Sequence, residues 1–132
     1  MPTMVISGSA REQEAIQRWI VFWQRRGYEV IAYPSPIPAN EFQARYPGVL
    51  RAFYERLAAC DALFVVNEDR DSIRGYVGAA TFGEISYAIA RNACEHQPVE
   101  IVLLQPVSDE VHGADEIRLW SELGWITFHE AG

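Results

Sequence analysis

The run Ala62-Leu63-Phe64-Val65-Val66, followed by a polar loop with glycines at both ends of its second half and then by a helical stretch, constrains this chain more than any other feature. A strand that is apolar at every position leaves no face for water. It belongs in the middle of a sheet covered on both sides, as parallel strands are. The same order of strand, turn and helix recurs along the chain. Thr3 to Ser7 is short and apolar and is followed by the turn Gly8-Ser9. From Ala10 to Arg26, Ile16, Trp19, Ile20 and Trp23 recur at helical spacing, and Gly27 stops the helix. Tyr28 to Tyr33 is a second strand, and Pro34, Pro36 and Pro38 then exclude regular structure. A helix beginning near Asn40 is expected to break at Pro47-Gly48, with the firmer helix running from Val49 to Cys60 and carrying Leu50, Phe53, Tyr54 and Leu57 on its apolar side. After the central strand, helix 79–93 presents Phe82, Ile85 and Ile89 inward and Thr81, Glu84, Ala88 and Arg91 on another face. Ile101 to Leu104 is a fourth strand, Asp109 to Leu123 a helix and Trp125 to Phe128 a fifth strand.

Strands alternating with helices through short connections require right-handed crossovers and a parallel sheet. The expectation is an α/β three-layer sandwich over residues 1–132, flavodoxin-like or Rossmann-like, with strand order 2-1-3-4-5. In such a sheet ligands bind outside the carboxyl ends of the strands, where strands 1 and 3 diverge. That crevice joins the turn after strand 1 (Ser7, Gly8, Ser9, Arg11) to the loop Asn67 to Gly78 and to Glu84.

Length and charge narrow the partners. A chain of 132 residues forms about one core without staples. A net charge of −7, with 18 acids against 11 bases, argues against a sequence-independent nucleic-acid binder. A small anion remains compatible, because a helix N-terminus or a local Arg holds phosphate inside an acidic protein. Cys60 and Cys94 show no metal spacing and read as reduced packing residues. No charged leader precedes an apolar run and no segment suits a membrane span, so a cytoplasmic protein with no membrane partner is expected. Trp19, Phe22 and Trp23 on one helix exceed what one core face needs and predict a homo-oligomer, dimer or higher.

Glu84 is the leading candidate for chemistry. Gly78-Ala79-Ala80 lets a ligand approach the backbone, and the helix N-terminus there favours a negative ligand group. A carboxylate beside a sugar acts as nucleophile or stabilises an oxocarbenium-like transition state. Arg11 is either a phosphate clamp or a solvated first-turn residue, and Ser7 and Ser9 are candidate donors beside it. Asn67 either contacts a ribose hydroxyl or simply turns the chain, and Thr81 faces the same loop. Tyr33 and Tyr76 either stack on a base or pack. His96, His112 and His129 are scattered and receive no role, and Asp115, Glu116 and Glu122 form a wet helix face.

The segment Gly78 to Ala88 resembles the Gly-rich turn and helix start of the nucleoside 2-deoxyribosyltransferase-like family, with Glu84, Tyr87 and Ala88 at matching positions. Gly8-Ser9-Ala10-Arg11 is similar to the loop that helps hold a 5′-phosphate in that family's nucleotide N-glycosidase branch, and Asp61 is similar to an Asp found before its central strand. The resemblance runs from strand 1 to helix 3. It implies that Glu84 is a nucleophile at an N-glycosidic bond, that the substrate is a nucleoside or nucleoside 5′-monophosphate, and that no metal or redox cofactor is needed. Phe53 stands where the family carries a catalytic Asp, and Ser86 where it often has Gly. Either an acid of the 68–71 loop, Glu68, Asp69 or Asp71, replaces the missing one, or the loop is a solvated lid and the chain a nucleotide-binding module without turnover. Ala80 to Glu84 also looks in part like an element of the cytokinin-activating phosphoribohydrolases.

Overall fold

The computed structural model describes residues 1–95 and 97–130, so His96 lies outside the described residues. Five strands, β1 (Thr3–Gly8), β2 (Glu29–Ala32), β3 (Ala62–Val66), β4 (Glu100–Leu103) and β5 (Thr127–Phe128), form one sheet in the order β2-β1-β3-β4-β5. Every pairing is parallel. The expected three-layer α/β sandwich of flavodoxin-like order is therefore present. β3 is buried along its whole length, as its unbroken apolar run requires.

Side chains of β3 alternate between two cores, because successive residues of a strand point to opposite faces. Leu63 and Val65 join a cluster built with Leu57, Ile85, Ala88 and Ile117, which come from α2 (Phe42–Leu57), α3 (Ala79–Ala90) and α4 (Ala114–Glu122). Ala62, Phe64 and Val66 join Ile16 and Ile20 of α1 (Gln13–Gln24). One helix thus serves one face and three serve the other. The aromatic surplus of α1 goes into this imbalance. Trp19 and Trp23 lie with ring centroids 4.9 and 5.1 Å from Phe64, and Phe22 packs on Trp19, Trp23 and His129. These rings widen the cover that a single helix offers, so they give no reason to require a second copy of the chain. No helix among the described residues is long and apolar enough to cross a membrane.

Several elements differ from expectation. Pro47 does not break its helix: α2 runs unbroken from Phe42 to Leu57 with Pro47 inside. Proline costs a helix the bond to the carbonyl four residues earlier. Here that carbonyl belongs to Gln43 in the first turn, on a stretch exposed to solvent, so the lost bond leaves no buried acceptor. The apolar side read on α2 meets the core through Leu57, with Phe53 and Tyr54 packed against that cluster, but not through Leu50. Of its residues only Leu57 is buried, while Phe53 and Tyr54 are half-buried and Leu50 is exposed. α3 ends at Ala90 and passes into a π turn, Arg91–Glu95, where Asn92 bonds both the N–H and the carbonyl of Val99. Arg91 turns inward and donates to the Leu57 and Cys60 carbonyls at the end of α2, so it holds a helix terminus. Thr81 and Ala88, read as a separate face of α3, are buried as well. α4 starts five residues later than expected, after Gly113, and β5 keeps only Thr127–Phe128. Cys60 is buried, but Cys94 is exposed and packs nothing.

Candidate active site

The register of the sheet sets the site. Ser7 and Gly8 at the end of β1 pair with Val65 and Val66 at the end of β3, so the turns after the two strands leave side by side. A Cβ on Gly8 would stand 3.0 Å from the Val66 carbonyl oxygen at a φ of +150°, and the close approach therefore requires glycine. Past Gly8, the Glu12 N–H donates to the Ser9 carbonyl and α1 begins.

A buried amide network fixes the loop after β3. The Asn67 side-chain amide donates to the carbonyls of Gly75 (3.2 Å) and Gln105 (2.8 Å), and its oxygen accepts the Gln105 N–H. Gln105 in turn donates from its side chain to the Asn67 carbonyl and to the Asp69 carboxylate. The loop then doubles back as a tight hairpin. Arg70 and Ile73 exchange backbone bonds of 3.0 and 2.8 Å around Asp71 and Ser72, both at positive φ, which is the pattern of a type I′ turn. Gly75 crosses the chain after β4 so closely that a Cβ would meet the Pro106 carbonyl oxygen at 2.2 Å.

These turns enclose a cavity of about 370 Å³ whose wall includes Ser9, Glu12, Glu68, Arg70, Tyr76 and the start of α3 from Gly78 to Thr81. The first N–H groups of α3 open into it without intrahelical acceptors. Its side-chain charges are two carboxylates against one guanidinium, Arg70, which lies 5.2 Å from the centre of the Tyr76 ring. Burial, and next the nearby Glu12 carboxylate, push the Glu68 pKa up.

A second cavity, of about 540 Å³, opens on the other side of Gly8, Ala10 and Ala80, which line both. Its wall is α2 and the end of β2, with Ile31, Tyr33, Phe42, Tyr46, Leu50 and Phe53. Glu84 lines this second cavity one helical turn after Ala80, close to the seam between the two. Ser7 donates a hydrogen bond to Glu84 from β1. Burial raises the Glu84 pKa from 4.5 to about 7, against the opposing pull of the Ser7 bond. The phenol of Tyr54 is raised too, first by burial and then by the Glu84 charge. A carboxyl that is half ionised near neutrality, at the junction of an apolar and a polar cavity, is equipped for nucleophilic or proton-transfer work.

The sequence candidates divide. Glu84, Ser7, Gly8, Ser9, Gly78 and Thr81 come together at the seam and the polar cavity. Asn67 sits beneath them, 1% exposed, with its amide spent on the loop. Arg11 is exposed and lies outside both cavity walls, and Glu12 takes the inward place beside it. Asp69 is held by the Gly75 N–H and Gln105, and Asp71 stands at the hairpin tip. Neither lines either cavity. Glu68, one of the loop acids offered as a substitute, lines the polar cavity, whereas Glu12 and Gln105 carry no motif. The one signal for Gln105 is an amide set directly after a buried strand and before Pro106. Among the described residues no group of three or more His, Cys, Asp or Glu is placed to hold a metal ion. A scan against protein-family models found no match to the chain, and a search of curated proteins found none.

Proposed function

We propose that this protein cleaves or transfers at the N-glycosidic bond of a nucleoside, with Glu84 as the group that meets the anomeric carbon. The observation that carries the reading is the position of Glu84 at the seam of an apolar and a polar cavity. A nucleoside has the same division, a flat ring joined through one carbon to a hydroxylated sugar. With the ring against α2 and the sugar hydroxyls toward the polar cavity, the bond between them lies over Glu84. The ionised carboxylate then attacks or stabilises the anomeric centre, and Ser7 orients it. The resemblance of residues 78–88 to the nucleoside 2-deoxyribosyltransferase-like family supports the same assignment.

The 5′ end is read as a free hydroxyl. Arg70 and the first N–H groups of α3 attract an anion there, but Glu12 and Glu68 leave the side-chain charge of the polar cavity net negative, and Arg11 is not among its walls to offset them. Phe53 favours a second reading, a binding module without turnover, since it puts an apolar ring where the related enzymes carry an acid.

The test is incubation with ribo- and deoxyribonucleosides and their 5′-monophosphates, with and without an acceptor base, read by chromatography for free base. Glu84→Gln preserves shape and removes charge. It is expected to lower base release at least about 1,000-fold while ligand-induced thermal stabilisation persists. Stabilisation of the wild type with no base released from any substrate would establish the binding module instead.

A further inference from the structure

The apolar cavity poses a chemical problem for the ring that departs into it. A neutral base leaves a sugar as an anion unless a proton reaches its nitrogen, and enzymes supply that proton from a positioned acid. Glu84 is the single carboxyl among the described residues lining this cavity. The reaction proposed above spends Glu84 on the sugar. The other polar side chains of the wall are the Ser35 hydroxyl, the Tyr33 and Tyr46 phenols and the guanidinium of Arg56, all weaker acids than a carboxyl. Of the loop acids that sequence offered as substitutes, Glu68 lines the polar cavity, and Asp69 and Asp71 line neither cavity.

We infer that the apolar cavity takes a ring that needs no proton to leave: a cationic heteroaromatic ring of the pyridinium type, joined through its quaternary nitrogen to an unphosphorylated sugar. The inference rests on the reading of Glu84 given above. A Glu84 oxygen forms a bond to the anomeric carbon, the carbon–nitrogen bond breaks, and its electron pair stays on the ring nitrogen, so the ring departs neutral. Water then displaces Glu84 from the anomeric carbon and gives its extra proton to solvent. Each molecule of glycosyl-pyridinium and water yields free sugar, neutral pyridine and one proton. The wall suits the charge of such a ring. Tyr33, Phe42, Tyr46 and Phe53 line it, rings whose faces attract cations, and the Glu84 carboxylate lies toward the residues shared with the polar cavity. Arg56, the cation of this wall, is exposed and donates to the Ile31 carbonyl at 3.3 Å. At the other end the carboxylates of Glu12 and Glu68 disfavour a 5′-phosphate.

The experiment compares ribosyl- and deoxyribosyl-pyridinium-3-carboxamide, their 5′-phosphates, and adenosine, uridine and their deoxy forms as substrates of the purified full-length chain. Pyridinium glycosides are expected to exceed the neutral nucleosides in kcat/KM by at least about 100-fold, since no acid assists the latter, and to exceed their own 5′-phosphates. Phe53→Asp, checked for folding by its melting curve, is expected to narrow the gap by bringing an acid to the ring. Neutral nucleosides cleaved as fast as pyridinium glycosides would overturn the inference and leave the N-glycosidase reading standing. No release from any substrate would remove both. A gap unchanged in folded Phe53→Asp would also count against the missing proton donor as its cause.

Discussion

The two cavities share Gly8, Ala10 and Ala80 but are built by opposite means. The polar one is made of backbone turns pinned from below by Asn67 and Gln105, which are 1% and 9% exposed. The apolar one leans on α2, a helix with a single buried residue, Leu57, and with Phe42, Tyr46, Val49 and Leu50 exposed. The difference teaches where stability and specificity reside. A hydrogen-bonded loop over a parallel sheet has one arrangement in which its buried amides are satisfied, whereas a wall of exposed rings has no such network to pin it.

Breaking the polar side at its root should have the largest effect. Asn67→Ala leaves the Gly75 carbonyl and the Gln105 backbone short of partners, and a loss of about 3 kcal/mol in chemical denaturation is expected, as for other buried polar networks. A loss below about 0.5 kcal/mol would mean that the loop holds itself without the network.

The seam gives a pH signature of similar size. Glu84 binds its proton more tightly folded, near 7, than its ordinary 4.5, so its contribution to stability is fully present below 4.5 and is lost as pH rises through 7. Across that window the wild type should lose up to about 3 kcal/mol relative to Glu84→Gln, whose side chain does not titrate. Parallel stability curves would contradict the burial of this carboxyl. The same titration requires the reaction rate to rise with pH and level off above about 7 if the ionised form attacks.

A smaller effect separates the charges of the polar side from its shape. Replacing both Glu12 and Glu68 by Gln should improve kcat/KM for 5′-phosphorylated substrates about 10-fold relative to their nucleosides, because two like charges are removed near the phosphate. The smallest is expected at Arg11, exposed and outside both walls. Arg11→Ala should change the ratio of phosphate to nucleoside activity by less than about 2-fold, as for a surface substitution. A selective loss of the phosphorylated substrates would restore the clamp.

The sheet and its order were legible because continuous apolar runs at 4–6, 62–66 and 101–104 have few other fates. The polar side was legible in part, since glycines mark turns that approach a ligand. What was lost there was direction. A loop has no periodicity, so nothing in the residues themselves says that Glu68 faces the cavity while its neighbour Asp69 bonds Gln105. For the same reason nothing in the residues says that Glu12, rather than Arg11, lines the cavity. The apolar side was less legible for a different cause. Leu50 and Phe53 recur at helical spacing whether a helix covers a core or a cavity, and periodicity cannot tell the two apart. Pro47 compounded this, because the rule that proline breaks helices is weakest in the first turns, where the carbonyl it deprives is exposed.

The most direct test of the account is mass spectrometry of the intact, acid-quenched protein during turnover of whichever nucleoside it cleaves, with a 2-fluoro sugar used to slow release of a covalent intermediate. The account predicts a glycosyl adduct confined to the peptide that carries Glu84, absent from Glu84→Gln. Base release by Glu84→Gln at the wild-type rate, or an adduct on another residue, would contradict it.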